Sequence, residues 1–347
     1  MERDAVDRLY VTGDASDEAL KELIDLQDPA PLREAADARR KEWYGTDVFV
    51  RGLIEFSNHC RNNCFYCGIR SGNRPLQRYR LTEDDILSCA EGGYRIGMRT
   101  FVLQSGEDPC FDDGSICSVV RSLKAAHPDC AVTLSIGEKP KSAYEAYFEA
   151  GADRYLLRHE TASEEHYSML HPSSMSLANR KRCLRDLKET GFQTGAGFIV
   201  GTPWQTIDNL VEDLRFLQSL DPEMIGIGPF LPASGTPFES MPPGSLERTL
   251  NLLSILRLMF PRALIPATTS LGTIHPNGLE YGLKAGANVI MPNLTPQKES
   301  RLYSLYDNKP MSVGTLSMTY GSLAERVQSV GYGIVTDRGD VAVSRRH

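Results

Sequence analysis

VFVRGLIEFSNHCRNNCFYCG, residues 48–68, runs an apolar stretch straight into three cysteines. Its first nine residues, rich in β-branched and aromatic types, predict a strand, and the polar residues after Phe56 predict a loop at the strand's C-terminal end. Seven more short apolar runs follow: TFVLQ (100–104), AVTLS (131–135), RYLLR (154–158), QTGAGFIV (193–200), MIGIG (224–228), ALIPAT (263–268) and NVIM (288–291). Amphipathic stretches lie between them, at 83–97, 115–126, 141–151, 177–191, 207–220, 245–260 and 277–286. Several end on Gly, the usual residue just past a helix C-terminus. Eight strands alternating with helices over about 250 residues predict an α/β fold of the (β/α)8 TIM-barrel type, preferred over a doubly wound open sheet.

Residues 1–46 predict a helical extension, with DEALKELIDL (17–26) and PLREAADARRKEWYG (31–45) apolar at helical spacing and Asp17 as an N-cap candidate. The barrel spans 47–295. Residues 296–347, where the periodicity weakens, predict a C-terminal cover segment with a last helix near 322–331.

Composition excludes several classes of function. A net charge of −7 argues against general nucleic-acid binding, because phosphate contacts want a basic surface. No apolar run reaches the ~18–20 residues of a membrane span. The opening MERDAVDRLY lacks the apolar core of a signal peptide, so a cytoplasmic location is expected. In such a chain, clustered cysteines favour metal or redox chemistry over disulfides. Cys89, Cys110, Cys117, Cys130 and Cys183 are scattered and read as small buried hydrophobes or incidental thiols.

Cys60, Cys64 and Cys67 are spaced C-x3-C-x2-C, with no fourth cysteine nearby. An iron–sulfur cube normally takes four cysteines, so three leave one iron open to an outside ligand. A zinc site would recruit His59 as fourth ligand, but His59 adjoins Cys60, against the usual ligand spacings. In a barrel the site lies at the C-terminal strand ends. There the sequence places the triplet, then SGEDP (105–109), IGE (136–138), RHET (158–161), GIGPF (226–230) and PATTS (266–270).

The triplet, with the aromatic Tyr66 before its third cysteine, resembles the radical S-adenosylmethionine (SAM) superfamily, and SGEDP resembles the superfamily's GE motif. Helix capping by Glu107 or Asp108 is the plainer reading of that motif. EFSNHCRNNCFYCG, RYRLT, LQSGEDP, TLSIGE, AGADRYLLRHET, GIGPF, IPATT and GANVIMPNLTP together resemble the HydE family of [FeFe]-hydrogenase maturases over roughly residues 45–310. Methylornithine synthase shares GEDP but does not end its third strand in Gly-Glu; biotin synthase is a more distant relative.

The resemblance implies one [4Fe–4S] cluster on Cys60, Cys64 and Cys67, and SAM cleaved to a 5′-deoxyadenosyl radical. It implies SAM contacts from Tyr66, Gln104, Gly106, Glu107, Ser135, Glu138, Glu160 and Arg180. It implies a substrate cavity lined by Thr133, Arg158, Thr268, Thr269, Tyr303 and Tyr306. The substrate it implies is a small organometallic or sulfur-containing species, a cysteine-ligated iron carbonyl–cyanide compound, with ferredoxin or flavodoxin as electron donor and other maturation proteins as partners. Competing expectations are a methylornithine- or biotin-synthase-like enzyme and a non-catalytic zinc protein. Some family members carry a second, C-terminal cysteine group for an accessory cluster; here MSVGTLSMTYGS (311–322) stands in that region and no cysteine follows Cys183.

Overall fold

The computed structural model describes residues 2–309 and 316–343. Part of 311–322, the stretch expected in place of an accessory cysteine group, lies outside them. The first expected strand forms two, β1 (Asp47–Val50) and β2 (Gly52–Ser57), split at Arg51. There follow β3 (Thr100–Ser105), β4 (Ala131–Ser135), β5 (Arg154–Leu156), β6 (Gln193–Ala196), β7 (Ile199–Val200), β8 (Met224–Ile225), β9 (Gly228–Pro229), β10 (Val289–Ile290) and β11 (Gly333–Val335).

Six strands form one parallel sheet in the order β2-β3-β4-β5-β6-β8. Backbone bonds outside this sheet carry the ring onward. Ile225 N donates to Leu264 O at 3.1 Å, Asn288 N to Ile265 O at 2.8 Å, and Leu53 N to Pro292 O at 2.9 Å, while β1 pairs with β10. The barrel therefore closes. The expected strand at 263–268 makes isolated bridges at Leu264 and Pro266 rather than a ladder, in keeping with the missing N–H of Pro266.

Helices α1 (Glu2–Thr12), α2 (Asp17–Ile24) and α3 (Ala30–Tyr44) precede the barrel. The N-cap of α2 is Ser16, which accepts from Ala19 N, and not Asp17, which is the first helical residue. The outer layer is α4 (Glu83–Arg95), α5 (Asp113–Ala126), α6 (Lys141–Glu149), α7 (Glu164–Leu170), α8 (Leu177–Thr190), α9 (Ile207–Leu220), α10 (Leu246–Met259), α11 (Thr269–Ile274) and α12 (Gly278–Lys284). The tail adds α13 (Gln297–Ser300) and α14 (Leu316–Ser329).

Side chains alternate across each strand. Ile54, Phe56, Phe101, Leu103, Val132, Leu134, Tyr155 and Leu157 join the main hydrophobic core against the helices. Their alternates, among them Arg51, Glu55, Gln104, Thr133, Arg154 and Arg158, face the axis. The interior thus carries charged and polar groups beside apolar alternates such as Leu53 and Val102, unlike the packed Val/Ile/Leu layers common in this architecture.

The tail does more than cover the mouth. β11 pairs in parallel with β1 at the opposite end of the barrel. Beyond it, Arg154 donates to Arg338 O at 2.8 Å and to Asp340 at 2.6 Å, so residues 338–340 close that end. The expectation of a mere cover missed this strand.

Candidate active site

The loop after β2 carries Cys60, Cys64 and Cys67, all partly buried and free of disulfides. Burial raises all three thiols, Cys64 to about 12. Beyond burial, Cys64 and Cys60 raise Cys67, and Cys60 and Glu160 raise Cys64. The three sulfurs therefore lie close enough to influence one another, and Glu160 influences Cys64 and Cys67. Ligation must displace these protons, which a metal's charge does.

Among the described residues, no group of three or more His, Cys, Asp or Glu side chains is arranged to hold a single metal ion. A zinc site completed by His59 is not formed. A cluster spreads its thiolates over several irons, and three free cysteines on one loop that form no single-ion group fit that demand.

A charged chain runs around the mouth from this loop. Arg61 donates from Nε to Glu107 at 2.9 Å. Glu107 accepts from Glu138 N at 2.9 Å. Glu138 accepts from Arg180 Nε and from Asn179 Nδ2, each at 2.5 Å. Arg180 also donates to Arg158 O at 2.6 Å. Arg158 reaches toward Glu160 at 3.9 Å. Glu107, Glu138, Glu160, Arg158 and Arg180 are thus brought together from the ends of β3, β4 and β5 and from α8.

Two glycines make this approach possible. A Cβ on Gly106 would lie 2.3 Å from His59 O and 2.6 Å from Cys60 Cβ, so this residue lets the cysteine loop seat on β3. Gly137 has φ +83°, and a Cβ there would lie 2.1 Å from Glu107 Cγ.

Glu160 has φ 67°, an uncommon conformation for a residue with a side chain. Two backbone bonds hold it, Glu160 N to Gly197 O at 3.1 Å and Ile199 N to Glu160 O at 3.2 Å. Its buried Oε2 has no hydrogen-bond partner. A buried carboxylate oxygen without a hydrogen bond, near Cys64 and Cys67 and held only by the long ion pair to Arg158, suits a cationic ligand group. The residues present therefore fit a cluster with an ammonium-bearing ligand on it.

Asp108 does not cap a helix; Asp112 caps α5 by accepting from Ser115 N. Asp108 instead takes two bonds from Arg80, at 2.7 and 2.9 Å, and one from Ser57 Oγ at 2.6 Å. The capping explanation of SGEDP fails for both carboxylates.

Tyr66 sits edge-on to His171, with its hydroxyl 3.2 Å from His171 Nε2. Gln104 Nε2 donates to Tyr303 Oη at 3.3 Å. Ser135 ends β4 beside Gln104 in register. Tyr306 is raised to about 12 by burial, with Thr273, Arg158 and Glu55 nearby. Deeper in, Thr133 is buried with an unpartnered hydroxyl, and Arg51 has unpartnered Nε and Nη2. Thr268 bonds Ile227 O at 3.2 Å. Thr268 and Thr269 both line a cavity of about 510 Å³ between the barrel wall and α14.

Sequence reasoning missed several partners. Arg61, Asn179 and His171 hold residues it had named. Lys309 reaches back to the buried Glu55, which also accepts from Asn293 at 2.7 Å. Each pairing joins positions far apart in the chain, and only Arg61 and His171, in cysteine- and histidine-bearing loops, offered any local signal.

A parallel β/α barrel whose first strand delivers three thiols to a charged mouth defines an iron–sulfur enzyme with an open ligand position. The family model for the radical SAM superfamily matches residues 54–217. The chain belongs to that superfamily and, within it, to the family of the [FeFe] hydrogenase maturase HydE. It is 48% identical over 295 residues to the maturase subunit HydE of Thermotoga maritima, covering 84% of each chain. It is 30% identical over 297 residues to 3-methylornithine synthase of Methanosarcina acetivorans, covering 84% of this chain and 83% of that one. Among solved structures, methylornithine synthase superposes with a TM-score of 0.82 at 26% identity, over 95% of this chain and 97% of that one. The hydrogenase maturase HydG superposes with a TM-score of 0.82 at 19% identity, over 96% and 76%, and shows the shared fold alone. The chain is a radical SAM enzyme, and its cofactors are a [4Fe–4S] cluster and SAM. Among the described residues no helix is long and apolar enough to cross a membrane.

Proposed function

We propose that this enzyme acts in maturation of the [FeFe]-hydrogenase active-site cluster, together with other maturation proteins, on a small organometallic or sulfur-containing substrate. The observation that carries this reading is the 48% identity to the Thermotoga HydE across 84% of both chains. The Gly137-Glu138 pair supports it locally, since Glu138 joins Glu107 to Arg180.

Cys60, Cys64 and Cys67 hold the cluster in this account. When bound and reduced, it supplies the electron that cleaves SAM into methionine and a 5′-deoxyadenosyl radical. Glu160, with its oxygen free of hydrogen bonds, and Glu107 receive SAM's ammonium. Arg180, kept oriented by Glu138 and Arg158 O, receives its carboxylate. Tyr66, Gln104, Gly106 and Ser135 border the rest of SAM. Arg158, Thr133, Thr268, Thr269, Tyr303 and Tyr306 border the substrate. The Tyr303–Lys309 segment lies over the axis, tied to Glu55 and Gln104, and keeps water from the interior.

The likeness to methylornithine synthase favours one alternative, a carbon-skeleton rearrangement of a small organic substrate. Complementation of a host lacking HydE separates the two. Restored hydrogenase activity supports the maturase reading. Failure to restore it, with turnover of an amino-acid substrate by the purified enzyme, favours the alternative.

A further inference from the structure

Although the chain carries a net charge of −7, residues 57–82 contain Arg61, Arg70, Arg74, Arg78 and Arg80 and no acidic residue. This segment wraps the cysteine loop. Arg61 and Arg80 are spent on Glu107 and Asp108. Arg78 donates to the backbone carbonyls of Asn58, Ile69, Arg70 and Asn73. Among the described residues, no carboxylate pairs with Arg70, Arg74 or Arg78, so this face keeps its positive charge.

An aromatic chain adjoins it. Arg70 lies over the Phe65 ring at 5.8 Å. Phe65 meets Phe238 at 6.1 Å, and Phe238 meets Trp204 at 5.7 Å. Trp204 is 59% exposed and has φ 63°. Holding an indole in water on a left-handed backbone has a cost, and such features gather at functional surfaces. The acidic groups nearby keep their charge but are turned to donors of their own loops rather than to these arginines. Glu239 accepts from Gly235 N at 2.9 Å, and Asp307 takes the N and Oγ of Ser234. Phe65 itself stands between Cys64 and Cys67 in the chain, so this patch adjoins the loop that would hold the cluster.

We propose that Arg70, Arg74, Phe65 and Trp204 form the docking face for a small acidic ferredoxin. This rests on the reading of the site as a radical SAM centre, which needs one low-potential electron per cleavage. In the transfer the ferredoxin is oxidised by one electron and this protein's cluster is reduced by one; no proton or atom moves. A compact cationic face around one aromatic fits a weak, short-lived redox encounter steered by charge. Ferredoxins, whose iron–sulfur centres reach low potentials, are preferred over a flavin carrier on that ground.

The test is surface-plasmon titration of a purified acidic ferredoxin against the apo and the cluster-loaded protein at several salt concentrations. Wild-type affinity should fall with salt. The double variant Arg70→Glu/Arg74→Glu should weaken binding about tenfold or more at low salt, and Trp204→Ala should also weaken it. Arg185→Glu, on an exposed part of α8, should not. With dithionite as reductant, both docking variants should cleave SAM at the wild-type rate. Wild-type binding by the double variant, or an equal loss in Arg185→Glu, overturns the docking face. Binding of a flavodoxin here in place of the ferredoxin overturns the choice of carrier. Failure of dithionite-driven SAM cleavage in the wild type would instead count against the radical SAM reading, while binding to the apo protein still decides the docking face.

Discussion

Arg180→Ala removes a side chain that is only 6% exposed and makes two bonds, to Glu138 at 2.5 Å and to Arg158 O at 2.6 Å. Burial works against its charge, but the fields of Tyr167, Glu138 and Tyr66 outweigh that and keep it protonated. Truncation therefore acts twice. Glu138 loses its cation and keeps only Asn179, and SAM's carboxylate loses its proposed partner. Unpairing one member of a buried charged interaction costs about 2–4 kcal/mol, which for SAM is a loss of affinity of roughly 30- to 700-fold. Arg180 is not among the cluster ligands, so iron content and visible absorption of the reconstituted variant should match the wild type. Arg180→Lys should rescue only partly, because one ammonium cannot serve both Glu138 and the Arg158 carbonyl with the fork geometry of a guanidinium. Calorimetric titration of SAM into the reconstituted proteins measures the effect. An unchanged affinity in Arg180→Ala, with its cluster intact, would make Arg180 a purely structural brace for Glu138 and refute the reasoning.

The triplet predicts about four irons and four sulfides per chain, and Cys64→Ser should lose them while its circular dichroism stays native, because the loop lies at the mouth; iron and sulfide analysis checks this. Gly137→Ala should force Glu107 aside, given the 2.1 Å approach and φ +83°, destabilising the fold by about 1–3 kcal/mol in urea unfolding and weakening SAM binding. Asp340 tests the closure of the far end of the barrel. Burial raises its pKa, but Arg154, Gln193 and Arg338 outweigh this and hold it at about 2. Its contribution is therefore present above the unfolded carboxylate range near ~3.9 and lost as pH falls toward 2. The urea midpoint of the wild type should drop more between pH 5 and pH 2.5 than that of Asp340→Asn; parallel drops would remove Asp340 from the account.

Strands with period-two alternation and helices closing on Gly were legible because their signals are local. The breaks in the strands were not. Arg51 divides the first strand because its two halves pair with different partners, β10 and β11 for one and β3 for the other. Pro266 reduces the seventh to isolated bridges, and β11 was hidden in a tail of weak periodicity. At the site, the three cysteines announced themselves by spacing, and SGEDP by its place after a strand. Whether Asp108 caps a helix depends on Arg80, 28 residues earlier, which no local pattern reveals. Asn179 and Lys309 were missed for the same reason, since their roles exist only once α8 and the tail have folded against the mouth.

The central claim is most directly tested by reducing the anaerobically reconstituted protein in the presence of SAM and quantifying 5′-deoxyadenosine. A brown, iron-loaded protein should release it, and the Cys64→Ser variant should release none. A colourless protein that binds zinc through Cys60, Cys64 and Cys67 and leaves SAM intact would contradict the account.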